Sequence, residues 1–580
     1  MSGKDTEQTV NIRYQVDEKP PVSLSTGLGI QLAVLCIAGV VLTPAIVIHA
    51  AGGLETYIPW AVFGAVLVSG ITSIIQAVRV GRIGAGYVLA MGTSGAFIAV
   101  CVSALVEGGP ALMAILVVIS SIFQFLLSWR LSLFRKILTP SVAGTVIMLI
   151  PVTVMPLVFG SLTKVPGEAP VQSAPVSAAI TALVICLIAL KAQGIWRLWA
   201  PVIGIVAGCI AASFYGIYDF QSIKDASWIG LPKGQWPGLD LSFGPAFWTL
   251  LPAFIFVTLV GAIETLGDGI AIQRVSWRTP KAIDYRSVQG AVGADGLGNL
   301  LSGLIGTVPN TTYSTSVAVT ALTGVSARSV GVALGITFVL VAFVPKILAV
   351  VLAIPGPVAS AYLTVLLALL FVVGMKVVIQ EGADHRKALI VGVSFWIGVG
   401  CQHNLIFPEM VAGIAGGIFE NGMTAGGLTA ILLTLFKELT APRRYKLKVP
   451  FSQDSLPQIR DFLSEFVRRN RCDEPYRERL EAVAEEALFT LYNSTSEQEH
   501  APRRFLFLSI QKEGKVVNLE VTASPNDNNI EDRISLLGEQ HDMVSMEKEA
   551  SLRILRHYAS SVHHQQYHDT DIINIKVDVP

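Results

Sequence analysis

Between Gly27 and Phe436 the chain is one apolar run after another, each about the length of a membrane crossing. A helix needs about 20 apolar residues to cross the hydrocarbon core. Such runs fall at about 27–49, 55–79, 87–106, 109–131, 139–161, 173–193, 197–218, 246–270, 288–307, 310–326, 328–354, 358–380, 387–404 and 407–436. They predict about fourteen transmembrane segments. Backbone N–H and C=O groups at that depth must be satisfied internally, so the predicted segments are helical. With 52% hydrophobic and 14% charged residues, the composition is that of a polytopic membrane protein.

Three acids interrupt this apolar sequence. Glu264 and Asp268 lie in FIFVTLVGAIETLGDGI at a spacing of four, which puts both carboxylates on one helix face. Asp295 lies in the next run. Ionisable groups at membrane depth are costly and mark solute or ion pathways. Structural alternatives stand beside this reading. Asp268 sits near a basic helix end, Asp295 could simply hold the neighbouring segment, and Phe97 could be packing. The hydroxyls of Thr311, Thr312, Ser314, Thr315 and Ser316 could be interhelical glue.

Basic residues fall in alternate loops: Arg79 and Arg82; Arg130, Arg135 and Lys136; Lys191 and Arg197; Arg274, Arg278, Lys281 and Arg286; Arg386 and Lys387. The positive-inside rule then puts both termini in the cytoplasm, across an even number of spans. The first 25 residues are polar with no apolar signal region and read as a mobile cytoplasmic segment. The six cysteines show neither metal-ligand nor disulfide spacing, so no metal is expected.

Two segments depart from ordinary spans. The third carries Gly92-Thr93-Ser94-Gly95, and the tenth opens on Pro309-Asn310 and is dense in Thr and Ser. In fourteen spans these are the third positions of two seven-helix halves. Interrupted segments at matching positions point to a transporter binding site, where broken backbone lines a cavity.

The stretches IQLAVLCIAGVVLTPAIVI, GYVLAMGTSGAFIAV, LTPSVAGTVIMLI, IETLGDG, ADGLGNLLSGLIGTVPNTTYS and VTALTGVSAR resemble the nucleobase–ascorbate (xanthine/uracil) permease family, over about residues 25–436. The resemblance implies a seven-plus-seven inverted repeat of core and gate domains, in which segments three and ten each supply a short strand. It implies that Glu264 hydrogen-bonds the solute, that Asp268 and Asp295 couple protons or organise the site, and that groups around Ala96, Phe97, Tyr313, Ser314 and Thr315 complete the pocket. Departures bear on the solute: Gln31-Leu32 stands where the family has Gln-His, and Thr315-Ser316 where it has Gln-Asn or Glu-Asn. A hydroxyl makes single-point contacts where a carboxamide makes two.

From about residue 441 the sequence turns polar. The predicted organisation is a cytoplasmic segment at 1–25, a permease domain at 26–437, a basic linker at 438–450 and a soluble α+β sandwich at 451–580. DSLPQIRDFLSEFVRRNRC and LEAVAEEALFTLYN read as helices, and FLFLSIQ, VVNLEVTAS and DIINIKVDV as strands. EEALFTLYN and SLRILRHYASSV resemble the histidine-kinase-type ATPase fold of anti-sigma-factor kinases. Glu486 matches that family's acid, but Thr490 replaces its asparagine and SPNDNNIED replaces its glycine-rich box. Glycine is needed where backbone approaches phosphate, so ATP binding is expected to be lost and a regulatory or protein-binding role retained. His563, His564 and His568 read as a solvated helix end rather than a metal cluster.

The expected function is secondary-active transport of a nucleobase-like solute, coupled to protons by alternating access, in a multi-pass plasma-membrane homodimer with no cofactor and no nucleic-acid partner. A charged carboxylate at membrane depth crosses between states more readily once protonated, which is the basis of the coupling. Two alternatives stay open: an anion transporter of sulfate-permease-like architecture, and a transporter-derived sensor signalling through the C-terminal domain. No nucleophile–base pairing suggests an enzyme.

Overall fold

A computed structural model describes residues 12–135, 139–165, 169–232, 234–379, 384–408, 421–440, 444–470, 472–493, 505–514, 516–523, 529–535 and 552–579. The chain divides into two compact units, one ending at Phe436 and the other comprising Lys437–Pro580 with two short loop segments, Arg130–Ser132 and Thr279–Arg286.

In the first unit, α1 (Val22–Ala51) and α2 (Ile58–Val78) lead to a four-residue strand, β1 (Ala90–Thr93). Next comes α3 (Ile98–Trp129), which is two arms rather than one rod: Gly109 has φ 74° and Pro110 follows it. Then come α4 (Pro140–Leu162), α5 (Ser173–Lys191), α6 (Ile195–Phe214), α7 (Pro245–Arg274) and α8 (Tyr285–Ile305). A second short strand, β2 (Asn310–Tyr313), opens directly into α9 (Thr315–Thr323) and α10 (Arg328–Ala342). Helices α11 (Gly356–Ile379), α12 (His385–Gln402) and α13 (Gly422–Thr440) complete the described part of the unit.

Among the described residues, eight helices are long and apolar enough to cross a membrane. The expected single span at 328–354 is instead α10 and a short helix, Pro345–Leu352, bent by 89°. Pro345 is the cause: it has no N–H to continue the ladder and sits well as the first residue of a new helix. The middle of the run at 407–436 lies outside the described residues.

Small residues set the close crossings. A Cβ on Gly70 of α2 would lie 2.8 Å from the carbonyl of Gly335 on α10. One on Gly303 of α8 would lie 2.9 Å from the carbonyl of Ala114 on α3. Such approach is how helices pack tightly without a hydrophobic force between them.

The N-terminal segment is held rather than loose. Arg278, just beyond α7, donates to the carbonyls of Ile12 (2.9 Å) and Arg13 (2.8 Å) and to both oxygens of Glu18. Ser326 N–H donates to Tyr14 O and Arg328 N–H to Val16 O. Ile12 and Val16 are buried. The alternation of Ile12, Tyr14 and Val16 lets residues 12–16 run along the 324–328 connection, bridging Tyr14 to Val325.

The second unit is a five-stranded antiparallel sheet in the order β3-β4-β5-β7-β6: β3 Tyr445–Pro450, β4 Phe505–Glu513, β5 Val516–Ala523, β6 Ser561–Gln566 and β7 Asp571–Asp578. Helices α14 (Leu456–Arg469) and α15 (Glu474–Asn493) supply the rest of its core. Leu508, Ile510, Val517, Leu519, Ile573 and Ile575 point inward against Leu463, Phe466, Leu480 and Leu488. The β4–β5 hairpin turns at Gly514, φ 62°, a conformation glycine adopts without strain.

Two sequence expectations change here. YKLKVP, read as the end of a linker, is the edge strand β3; its lysines face outward and only Val449 is fully buried. SVHHQQ, read as a helix end, is β6, with His564 buried and accepting the Ile530 N–H at 3.0 Å through Nδ1. Among the described residues no group of three or more His, Cys, Asp or Glu is placed to hold a metal ion. Glu486 lies on α15, while the Thr490 side chain and residues 524–528 of SPNDNNIED lie outside the described residues.

Candidate functional site

The two interrupted segments meet. β1 and β2 pair antiparallel, with Ala90 opposite Tyr313, Met91 opposite Thr312, Gly92 opposite Thr311 and Thr93 opposite Asn310. Beyond each strand the chain turns back into helix. Gly95–Phe97 form one 3₁₀ turn leading into α3, and α9 begins two residues after β2. Two helix N-termini therefore start beside the strand pair, with unpaired N–H groups and positive dipole ends.

Helix α7 runs past this pair and brings the acids to it. Asp268 is buried at 8% exposure and accepts from Thr312 Oγ1 at 2.8 Å and Ser314 Oγ at 2.6 Å. Thr265, on the same side of α7, donates to Asp295 Oδ2 at 2.6 Å. Asp295 is fully buried and also accepts from Gln124 of α3 at 3.0 Å. Gln124 Oε1 in turn accepts from Asn299, whose own carbonyl accepts the backbone N–H of Asn310 in β2 at 2.6 Å. Asn310 Nδ2 reaches Ser69 of α2 at 3.2 Å. One polar chain thus joins α2, α3, α7, α8 and β2 through an otherwise apolar interior. Within it, Asp295 Oδ1 and Asn310 Oδ1 are buried without a partner among the described residues.

Glu264 behaves differently. It is half-buried, one turn from Asp268, and has no hydrogen-bond partner among the described residues. Phe97 lies one turn before it: a Cβ on Gly261 would be 3.7 Å from the Phe97 ring, which also meets Phe254 at 6.2 Å between centroids. Ala96 and Phe97 are both 1% exposed, so their side chains are packing and only their backbone could reach a solute.

Tyr313 closes the other side. Its ring lies across Gly92, and its hydroxyl donates to the Thr93 carbonyl at 3.0 Å. A Cβ on Gly39 of α1 would lie 3.0 Å from that hydroxyl. Thr315 is the first residue of α9, whereas Ser316 is buried and donates to the Tyr313 carbonyl at 2.9 Å. Of the two residues at the family's carboxamide positions, Ser316 therefore holds the local turn.

The family model for xanthine/uracil permeases, described as Permease family, matches residues 25–405. The chain belongs to that family. The permease is 28% identical to the xanthine permease XanP of Escherichia coli K12 over 448 residues, covering 74% of this chain and 95% of that one. It is 28% identical to xanthine permease XanQ of the same organism over 442 residues, covering 73% and 93%. The uric acid permease PucK of Bacillus subtilis is 25% identical over 426 residues, covering 73% and 97%.

Sequence reasoning for this permease found the acids and the hydroxyl cluster but missed their connections. Thr265, Gln124 and Asn299 had no signal of their own. Each is a lone polar residue in an apolar run, and only the fold shows that they face one another. A weak signal did exist at Gly92, where a strand crossing an aromatic ring requires the absence of a side chain.

Proposed function

We propose that this permease carries a nucleobase-like solute across the membrane by alternating access, with Glu264 as the group that recognises it. The observation that carries the reading is the asymmetry among the three acids. Asp268 and Asp295 are tied by hydroxyls and amides to β2 and α3, and Glu264 alone lacks a partner among the described residues. A carboxyl group with open lone pairs, beside two helix N-termini, suits a ring that presents N–H groups toward the acid and C=O groups toward the backbone amides. A divalent anion would be repelled by the same carboxylate.

Asp268 and Asp295 then serve as organisers of the strand pair, and a proton taken up at Glu264 is the coupling ion. The full architecture in this proposal is a seven-plus-seven inverted repeat of fourteen spans. Both termini are cytoplasmic, two copies pair in the plasma membrane, and the C-terminal unit is regulatory. Support for the repeat comes from β1 and β2 lying in the third and tenth apolar runs.

The test is uptake of radiolabelled xanthine, uracil and urate into proteoliposomes under an imposed pH gradient, with wild type and Glu264→Gln. Glutamine keeps the size and can still accept a hydrogen bond, but it cannot take up a proton. Gradient-driven uptake by wild type and its loss in Glu264→Gln are expected. Equal gradient-driven uptake by both would falsify the role given to Glu264.

A further inference from the structure

The outer face of the C-terminal sheet carries a polar cavity, and its inventory specifies a ligand. Strand alternation sends the inward residues of β4, β5 and β7 to the apolar core and leaves two cross-strand rows on the opposite face. In the first row Gln511 is opposite Asn518, which is opposite Lys576. In the second, Ser509 is opposite Glu520, which is opposite Asn574. Arg444, just before β3, extends the first row by donating from Nε to Gln511 Oε1 at 2.9 Å. These residues line a cavity of about 230 Å³, with Leu519 and Ile575 at its floor.

An outward sheet face is ordinarily polar and wet, and a polar grid alone says little. Two details separate this one from that background. Gln511 is only 5% exposed, with its carbonyl fixed by Arg444. Asn518 Oδ1 is buried and has no hydrogen-bond partner among the described residues. A buried carbonyl oxygen left unpaired is unfavourable, and a ligand N–H would satisfy it.

The charge pattern narrows the class. Arg444 and Lys576 would draw an anion, but Glu520 and the Asn518 carbonyl both present acceptors to the same space. Three carboxamides and a carboxylate read alternating N–H and C=O groups, as side chains do on the edges of bases. The volume is below the about 300–1,000 Å³ of drug-sized sites and suits a solute of one or two rings. Phe507, 47% exposed, stands on the same face two residues before Ser509 and offers a rim for ring stacking.

We propose that this cavity is a second solute site, outside the membrane unit, for a small uncharged heterocycle with imide or amide edges, centred on Gln511, Asn518 and Asn574. It is independent of Glu264, so each site can be tested without the other.

The experiment is equilibrium dialysis of the full-length protein in detergent with radiolabelled xanthine and uracil. Four proteins are compared: wild type, Glu264→Ala, Glu264→Ala with Asn518→Ala and Asn574→Ala, and Glu264→Ala with Asn518→Leu. Glu264→Ala is expected to retain one bound equivalent of at least one probe. Losing the Asn518 and Asn574 amides should weaken that binding by about tenfold or more, the effect of one or two lost hydrogen bonds. Asn518→Leu keeps the size while removing the acceptor oxygen, and should weaken it similarly at an unchanged unfolding temperature. Retention by Glu264→Ala with loss on changing Asn518 supports this site even if wild type shows no second equivalent. Failure of Glu264→Ala to bind either probe overturns the proposal, as does undiminished binding in both Asn518 variants.

Discussion

Gly92→Ala tests whether the strand pair is held by the Tyr313 ring. Gly92 lies in extended backbone within β1, so alanine meets no conformational penalty there, and the effect is steric. Its Cβ would fall 2.7 Å from Tyr313 Cε1 and 2.8 Å from Cε2, well inside van der Waals contact. The ring cannot simply swing aside. Its hydroxyl is tied to the Thr93 carbonyl at 3.0 Å, and Gly39 of α1 crowds it from the other side. Relief must come from strand separation or a displaced ring, and overpacking of this kind costs about 1–3 kcal/mol. If the strain falls on the transport-competent state, uptake drops by about fivefold to a hundredfold. The assay is uptake in proteoliposomes beside thermal unfolding of the detergent-solubilised protein. Tyr313→Ala in the Gly92→Ala background removes the clash, so the double variant should be less impaired than the sum of the two singles. Additive effects, or a Gly92→Ala protein with wild-type uptake and melting, would refute the reasoning.

Other expectations follow from the same contacts. Thr312→Val and Ser314→Ala each remove a hydroxyl from Asp268, and each should reduce uptake by about tenfold, the scale of a hydrogen bond to a charged or strongly polar group. Asp268→Asn, which accepts from one hydroxyl and can donate to the other, should be milder than Asp268→Ala in the same uptake assay. In the C-terminal unit, Tyr476→Phe removes the bond from its hydroxyl to the Val577 carbonyl at 3.0 Å and should lower that unit's stability by about 1 kcal/mol. Differential scanning calorimetry of the full chain would register the change in its soluble transition.

The His563–Glu531 pair makes stability of the C-terminal unit depend on pH. The hydrogen bond to Glu531 raises His563 above its ordinary 6.5. Burial pushes Glu531 upward, but the bonds from His563 and the His564 backbone outweigh it and hold Glu531 below its ordinary 4.5. A raised histidine contributes fully below its unfolded value and loses the contribution as pH rises through its folded value. A lowered glutamate contributes above its unfolded value and loses the contribution as pH falls through its folded value. The pair therefore stabilises most between about pH 4.5 and 6.5 and weakens at higher pH. A His563→Ala unit whose melting keeps the full wild-type pH dependence would rule the pair out as its source.

The membrane fold was legible because its signal is local. Twenty apolar residues in a row, Gly92 to Gly95 and Pro309-Asn310 each announce themselves without a partner. The candidate site was legible in its charged members and in the hydroxyl cluster that follows Pro309-Asn310. Glu264, Asp268 and Asp295 are conspicuous because a carboxylate in lipid is costly wherever it sits. Gln124, Thr265 and Asn299 are not, because one amide or hydroxyl in an apolar run can always bond its own helix; their meaning depends on pairings 11 to 175 residues apart. In the C-terminal unit two strands were missed for different reasons. Strand β6 presents histidines and glutamines and lacks the apolar alternation that marked β4, β5 and β7. Strand β3 does alternate, with Tyr445, Leu447 and Val449 inward, but its outward lysines continue a basic run that reads as a linker.

The held N-terminal segment has a mechanical consequence. Residues 12–18 grip Arg278 at the end of α7 and run along the connection between α9 and α10. Helix α7 bears Glu264 and Asp268, and the segment from β2 to α9 bears Thr312 and Ser314, the hydroxyls that bind Asp268. The same parts are thus fastened twice, once at the strand pair and once by the N-terminal segment. Two attachments at separate points along a body suppress rotation as well as separation. In the proposed transport cycle such a body would move as one piece, with other helices sliding against it.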